Sequence, residues 1–88
     1  MYNYEIIPSL QKILNKLSKK DKKTYEVVMG KIEEILENPQ HYKPLKHDLA
    51  GEKRVHIMKS FVLKFEVDET TKIVKFLFFG HHDEAFRR

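Results

Sequence analysis

The amino-acid sequence predicts a two-layer α+β domain of order β-α-α-β-β-β, a helical hairpin packed on one face of a small, mostly antiparallel, twisted sheet. Three patterns predict it. Residues 10–36 carry two successive helical periodicities with almost no break between them. Residues 53–79 carry three apolar runs of strand length separated by short polar stretches. Tyr2, Tyr4 and Ile6 alternate with Asn3, Glu5 and Ile7, the period of a short strand that ends near Pro8. Three consecutive strands joined by short turns make an antiparallel meander whose edge the first strand can join, and two helices then cover one sheet face.

Each element has its own signal. Leu10, Ile13, Leu14 and Leu17 fall at i, i+3, i+4 and i+7, one apolar face of a helix with Ser9 placed to cap it. Ser18 and Asp21 have capping-box spacing, which starts a second helix at once. Its apolar face is Tyr25, Val28, Met29, Ile32, Ile35 and Leu36, and Asn38-Pro39 ends it because the residue before proline is pushed out of helical geometry. Gly30 weakens this helix by up to ~1 kcal/mol, and close packing against the first helix is the expected compensation. Residues 39–51 are polar and loop-like. From Lys53 to Met58, Val55 and Ile57 share one side and Arg54 and His56 the other. Phe61, Leu63, Phe65 and Val67 share one side of the next strand, with Val62, Lys64 and Glu66 opposite. Residues 68–71 are turn material, and Ile73 to Phe79 form a dense apolar strand that stops at Gly80.

Residues 1–88 are expected to form one domain, since a chain of 88 residues has no room for a second core. No segment reaches the roughly 20 apolar residues of a membrane span, and the N-terminus lacks a signal-peptide pattern. The absence of cysteine excludes disulfides and thiolate metal sites. A soluble, cytoplasmic protein is expected. The net charge of +4 suits a polyanionic partner and equally a well-solvated surface.

The sheet face away from the helices carries Arg54 and His56, and His82 follows the last strand. Neighbouring strands lie about 5 Å apart, so side chains from two or three of them converge on one phosphodiester. RNA brings its own nucleophile, the 2′-hydroxyl. Its cleavage without a metal needs a base for that proton, an acid for the leaving 5′-oxygen, and cationic donors for the charge that develops on phosphorus. Histidine titrates in the right range. Arg54, Lys43, Lys46, Lys53 and Lys59 are candidate donors, and Phe86 or Phe61 is placed to stack on a splayed base. The plainer alternatives stay open: a strand histidine in solvent, Phe86 against the sheet edge, and Lys19, Lys20, Lys22 and Lys23 as a solvated inter-helix corner. Adjacent His81, His82 and Asp83 rarely point at one metal. No Gly-rich phosphate loop, Ser-centred elbow or paired-carboxylate motif is present, and no cofactor is expected.

With these residues in place, the whole chain resembles toxins of the RelE/ParE superfamily of type II toxin–antitoxin systems, and the second half is most similar to the YafQ branch. The resemblance is carried by Pro44-Leu45, His56-Ile57, Phe61, Gly80-His81-His82 and Phe86. It implies an endoribonuclease that cuts mRNA in the ribosomal A site, with His82 as a central acid or base, His56 as its partner, Phe86 orienting substrate and Arg54 holding phosphate. It also implies an acidic RelB-like antitoxin as partner, with operator DNA bound only through that antitoxin. Lys43, Ser60 and Phe61 stand where the branch has a histidine, an acidic residue and often a tryptophan. Val62 and His82 stand where RelE has arginines, and Phe86 where it has a terminal tyrosine. Two rival readings remain: a ParE-like toxin that binds DNA gyrase without cutting RNA, and a degenerate toxin that only occupies its antitoxin.

Overall fold

The computed structural model describes residues 1–42 and 52–85. The order is β1 (Asn3–Ile6), α1 (Pro8–Lys20), α2 (Lys22–Glu37), a 3₁₀ turn (Pro39–His41), β2 (Glu52–Ile57), β3 (Phe61–Asp68), β4 (Ile73–His81) and a four-residue helix, α3 (His82–Ala85). The strands form one sheet in the order β1-β4-β3-β2. β2, β3 and β4 pair antiparallel, and β1 joins the edge parallel to β4. This is the expected α+β architecture.

The core lies between the helices and one sheet face. Leu10 and Leu14 of α1 and Val28, Ile32, Ile35 and Leu36 of α2 meet Ile57, Leu63, Phe65, Val74, Phe76 and Phe79. Each of these side chains is worth roughly 1.5–3 kcal/mol on full burial. Phe65 and Phe76 are cross-strand partners with ring centroids 5.9 Å apart, a pairing that adds to the area term.

The helix starts differ from expectation. α1 begins at Pro8, whose fixed φ and missing N–H suit a first helical position; Ile7 occupies the cap and Ser9 lies inside the helix. Ser18 is also helical and donates to the Asn15 carbonyl. Asp21 is itself the cap of α2, where its carboxylate accepts from the backbone N–H of Thr24 at 3.1 Å and from the Thr24 hydroxyl at 2.7 Å. Those bonds hold the Asp21 carboxyl below the usual carboxylate range. Gly30 makes no close packing: it is exposed, and a Cβ there would meet nothing within 4 Å.

One irregularity sets the geometry of the functional end. Lys64 pairs with Phe78 and Phe65 with Phe76, so Leu77 is the extra residue of a β-bulge. The bulge reverses the alternation of β4 beyond it. Phe79 and His81 therefore fall on the helix-covered side, and Gly80 faces outward opposite Val62. The β2–β3 loop, Met58-Lys59-Ser60, turns with Met58 at φ 53° and Lys59 at φ 69°, left-handed conformations that side chains rarely adopt.

Candidate functional site

The open sheet face is organised in cross-strand rows. His56 pairs with Val62 and Val62 with Gly80. Past His81 the chain leaves the sheet as α3, held by a 2.7 Å bond from the His82 backbone N–H to the Ser60 carbonyl. This return lays the His82 ring on that of His56, with centroids 5.4 Å apart and planes 25° from parallel. Val62 has no exposed surface although it belongs to the open face, and α3 lies close to β3 and β4. His82 is half exposed, and its Nδ1 lies 3.8 Å from Asp83 Oδ1. A depression of about 390 Å³ at this corner is lined by His56, Lys59, Ser60, His81, His82 and Asp83.

The residues singled out from the sequence divide into three groups. His56, His82 and Lys59 come together at the depression, and Arg54 lies two positions from His56 on the same face of β2. Lys53 and Phe61 do not join them. Lys53 has the parity of Val55 and Ile57, is only 7% exposed, and donates from Nζ to the Pro39 carbonyl at 2.9 Å. Burial pushes its ammonium below the usual lysine range, opposed by the charge of Glu69. It ties the 3₁₀ turn to β2, on the side of the strand opposite Arg54 and His56. Phe61 is partly buried and packs against the core, with ring centroids 5.1 Å from Phe79 and 4.8 Å from His81. Lys43, Lys46 and Phe86, with Pro44 and Leu45, lie outside the described residues.

Sequence reasoning passed over two features. His81 and Asp83 were set aside, yet both line the depression. Lys64 is directly opposite Arg54 on the open face, and its Nζ stands 5.4 Å from the centre of the Phe78 ring. Its outward parity was readable beside Val62 and Glu66; its register against Arg54 was not. Among the described residues no helix is long and apolar enough to cross a membrane, and no group of three or more histidine or acidic side chains is arranged to hold a metal ion.

Three comparisons bear on this fold. A family model, the ParE toxin of the type II toxin–antitoxin system parDE, matches residues 4–86. A Methanocaldococcus jannaschii protein named as a RelE4 toxin is 57% identical over 88 residues, covering 100% of this chain and 94% of the relative. The toxin in the intact E. coli RelBE toxin–antitoxin complex superposes with a TM-score of 0.77 at 19% identity, over 92% of this chain and 96% of that one. The chain in the E. coli DinJ–YafQ complex superposes with a TM-score of 0.64 at 19% identity, over 99% and 100%. The structural matches establish the fold; the family model and the archaeal relative establish descent. The chain belongs to the RelE/ParE superfamily of toxins of type II toxin–antitoxin systems.

Proposed function

We propose that this toxin is an mRNA interferase, an endoribonuclease that cuts translated mRNA in the ribosomal A site. The observation that carries the reading is the stacked His56–His82 pair on the open sheet face, two residues along from Arg54. The 2′-oxygen and the leaving 5′-oxygen flank one phosphorus, so two imidazoles brought to one spot from different elements supply base and acid to the same phosphodiester. His56 is exposed, and rotation of its side chain opens the stack to admit the phosphate. The proton leaves the 2′-hydroxyl for one imidazole, the 2′-oxygen attacks phosphorus, and the other imidazole protonates the 5′-oxygen as the P–O bond breaks. Arg54 and Lys59 face the charge that develops on the non-bridging oxygens. The paired general acid and base are worth ~10²–10⁴-fold each. Phe86 is assigned to orient the base on the strength of the sequence resemblance.

The partner is inferred as an acidic RelB-like antitoxin. Solved relatives are toxin–antitoxin complexes, and a chain of net charge +4 suits an acidic partner. Operator DNA is reached only through that antitoxin. A second reading has its own support, because the matching family model is described as a ParE toxin: a binding toxin that inhibits DNA gyrase. Expression in cells with mapping of mRNA 5′ ends separates the two. Codon-phased cuts in translated messages that vanish in His82→Ala support the interferase; intact messages with stalled replication support the gyrase toxin.

A further inference from the structure

Charge on the open face is segregated along the strands. One row in from the Asp68–Ile73 pair at the β3–β4 turn, Glu52 lies against Glu66, with Lys75 and then Glu5 beyond. The next row sets Arg54 against Lys64, with Phe78 beyond. The third is His56, Val62 and Gly80. Like charges directly opposite one another destabilise a sheet. A register-matched exchange of one acid with one base would pair opposite charges across β2 and β3 in both rows, but these two strands instead keep two like-charged pairs side by side, with Lys75 of β4 answering Glu66 and Glu5. Acidic residues continue past the first row: Asp68 and Glu69 join Glu5 and Glu66 around a separate depression of about 540 Å³.

We propose that Arg54 and Lys64 form a second phosphate subsite, so that the open face grips two consecutive phosphates of single-stranded RNA, and that the Glu52–Glu66 pair ends this track. The inference rests on the nuclease reading for the identity of the polyanion. Successive rows on one face are two residues apart, about 6.6–6.8 Å along a strand, which is one nucleotide step of extended backbone. With the scissile phosphate at His56 and His82, its neighbour falls on the Arg54–Lys64 row, so that Arg54 reaches both phosphates and Lys64 holds the second. Lys64 Nζ stands over the Phe78 ring, 5.4 Å from its centre, on the row that Lys64 shares with Arg54. A third phosphate would meet carboxylates. The track is therefore closed at that end, and the strand leaves the sheet past the histidine end.

The test is binding of a short 2′-O-methyl single-stranded oligonucleotide, which cannot be cut, to the full chain across a salt series. Lys64→Met keeps an unbranched side chain and removes the charge. It is expected to weaken binding about tenfold at low salt and to flatten the log–log salt slope by ~0.7, the value of one single-strand phosphate contact. Lys64→Arg is expected to retain both. Replacing the neighbouring phosphate by a neutral methylphosphonate is expected to erase the difference between wild type and Lys64→Met, and Glu66→Lys to steepen the slope. Wild-type affinity and slope in Lys64→Met, or no binding by the wild type, overturns the track. Cleavage is read separately. A wild type that binds with a Lys64-dependent slope yet never cuts RNA removes the nuclease reading and leaves the track. One that cuts while Lys64→Met matches it in binding and KM removes the track alone.

Discussion

The two turns that close β3 sit at opposite ends of the open face, and they are built on opposite terms. At the β3–β4 turn, Asp68 Oδ1 accepts from the backbone N–H groups of Thr70 at 2.9 Å and Thr71 at 3.2 Å. Glu69 next to it accepts from the Tyr2 hydroxyl at 2.8 Å, from Lys72 Nζ at 3.3 Å and from the Gln40 side-chain amide. One carboxylate thus joins the N-terminal segment, the turn after α2 and the hairpin. At the β2–β3 turn, Met58 and Lys59 are left-handed, and the nearby histidines stack on each other. Left-handed backbone occurs at both ends, with Lys72 at φ 59° in the first turn, but the first end spends its charged groups on holding the chain while the second keeps titratable rings facing solvent.

That contrast is broken most sharply by removing one residue from each end. His82→Ala is expected to reduce RNA cleavage at least ~10²-fold with little change in Tm. Glu69→Ala is expected to lower Tm by several degrees while cleavage stays near wild type, both read on the same preparation by scanning calorimetry and a cleavage assay. Equal loss of activity in the two variants would erase the distinction between the ends.

Acid sharpens the same comparison. The Tyr2 hydroxyl first, then Lys72, holds the Glu69 carboxyl below its ordinary range, and the backbone N–H groups of Thr71 and Thr70 do so for Asp68. The folded state binds these protons more weakly than the unfolded chain. Their stabilisation is therefore complete above the unfolded carboxylate range, near pH ~4, and is lost as pH falls through the lower folded values. Thermal unfolding followed from pH 6 downward is expected to show a steep loss in the acid range in wild type and a shallower one in Glu69→Gln.

Two smaller effects lie off both turns. Gly30→Ala is expected to stabilise by about 0.5–1 kcal/mol in denaturant titration, since the added methyl meets nothing and the helix propensity improves. Lys53→Met is expected to leave RNA binding unchanged because its ammonium faces the Pro39 carbonyl and not the open surface; a fall in RNA affinity would return Lys53 to the site.

The helices, strands and their faces were legible because apolar period is a local signal: Val55 and Ile57 inward, Arg54 and His56 outward, followed from alternation alone. The convergence of His56 and His82 was readable as a pairing of strand ends, but not its form, which depends on the Leu77 bulge and on the Ser60 carbonyl that turns α3 back. Lys53 and Phe61 were chosen by residue type, while their parity with Ile57 and Leu63 puts them on the helix side, away from the His56–His82 pair. The Arg54–Lys64 row needed the register between β2 and β3, which is a long-range property. Asp21 was found as a start signal but in the wrong role, since Asp at a cap and Asp in a first turn look alike until the Thr24 bonds are seen.

The central claim is that the histidine end of the open face cuts RNA through its own 2′-hydroxyl. The direct measurement is the chemistry of the ends released when the toxin acts on translating ribosomes, with the reaction performed under the lowest free magnesium that ribosomes tolerate. The expected products are 2′,3′-cyclic phosphate and 5′-hydroxyl ends, absent with His82→Ala. Ends bearing 3′-hydroxyl and 5′-phosphate, or cyclic phosphate formed undiminished by His82→Ala, would contradict it.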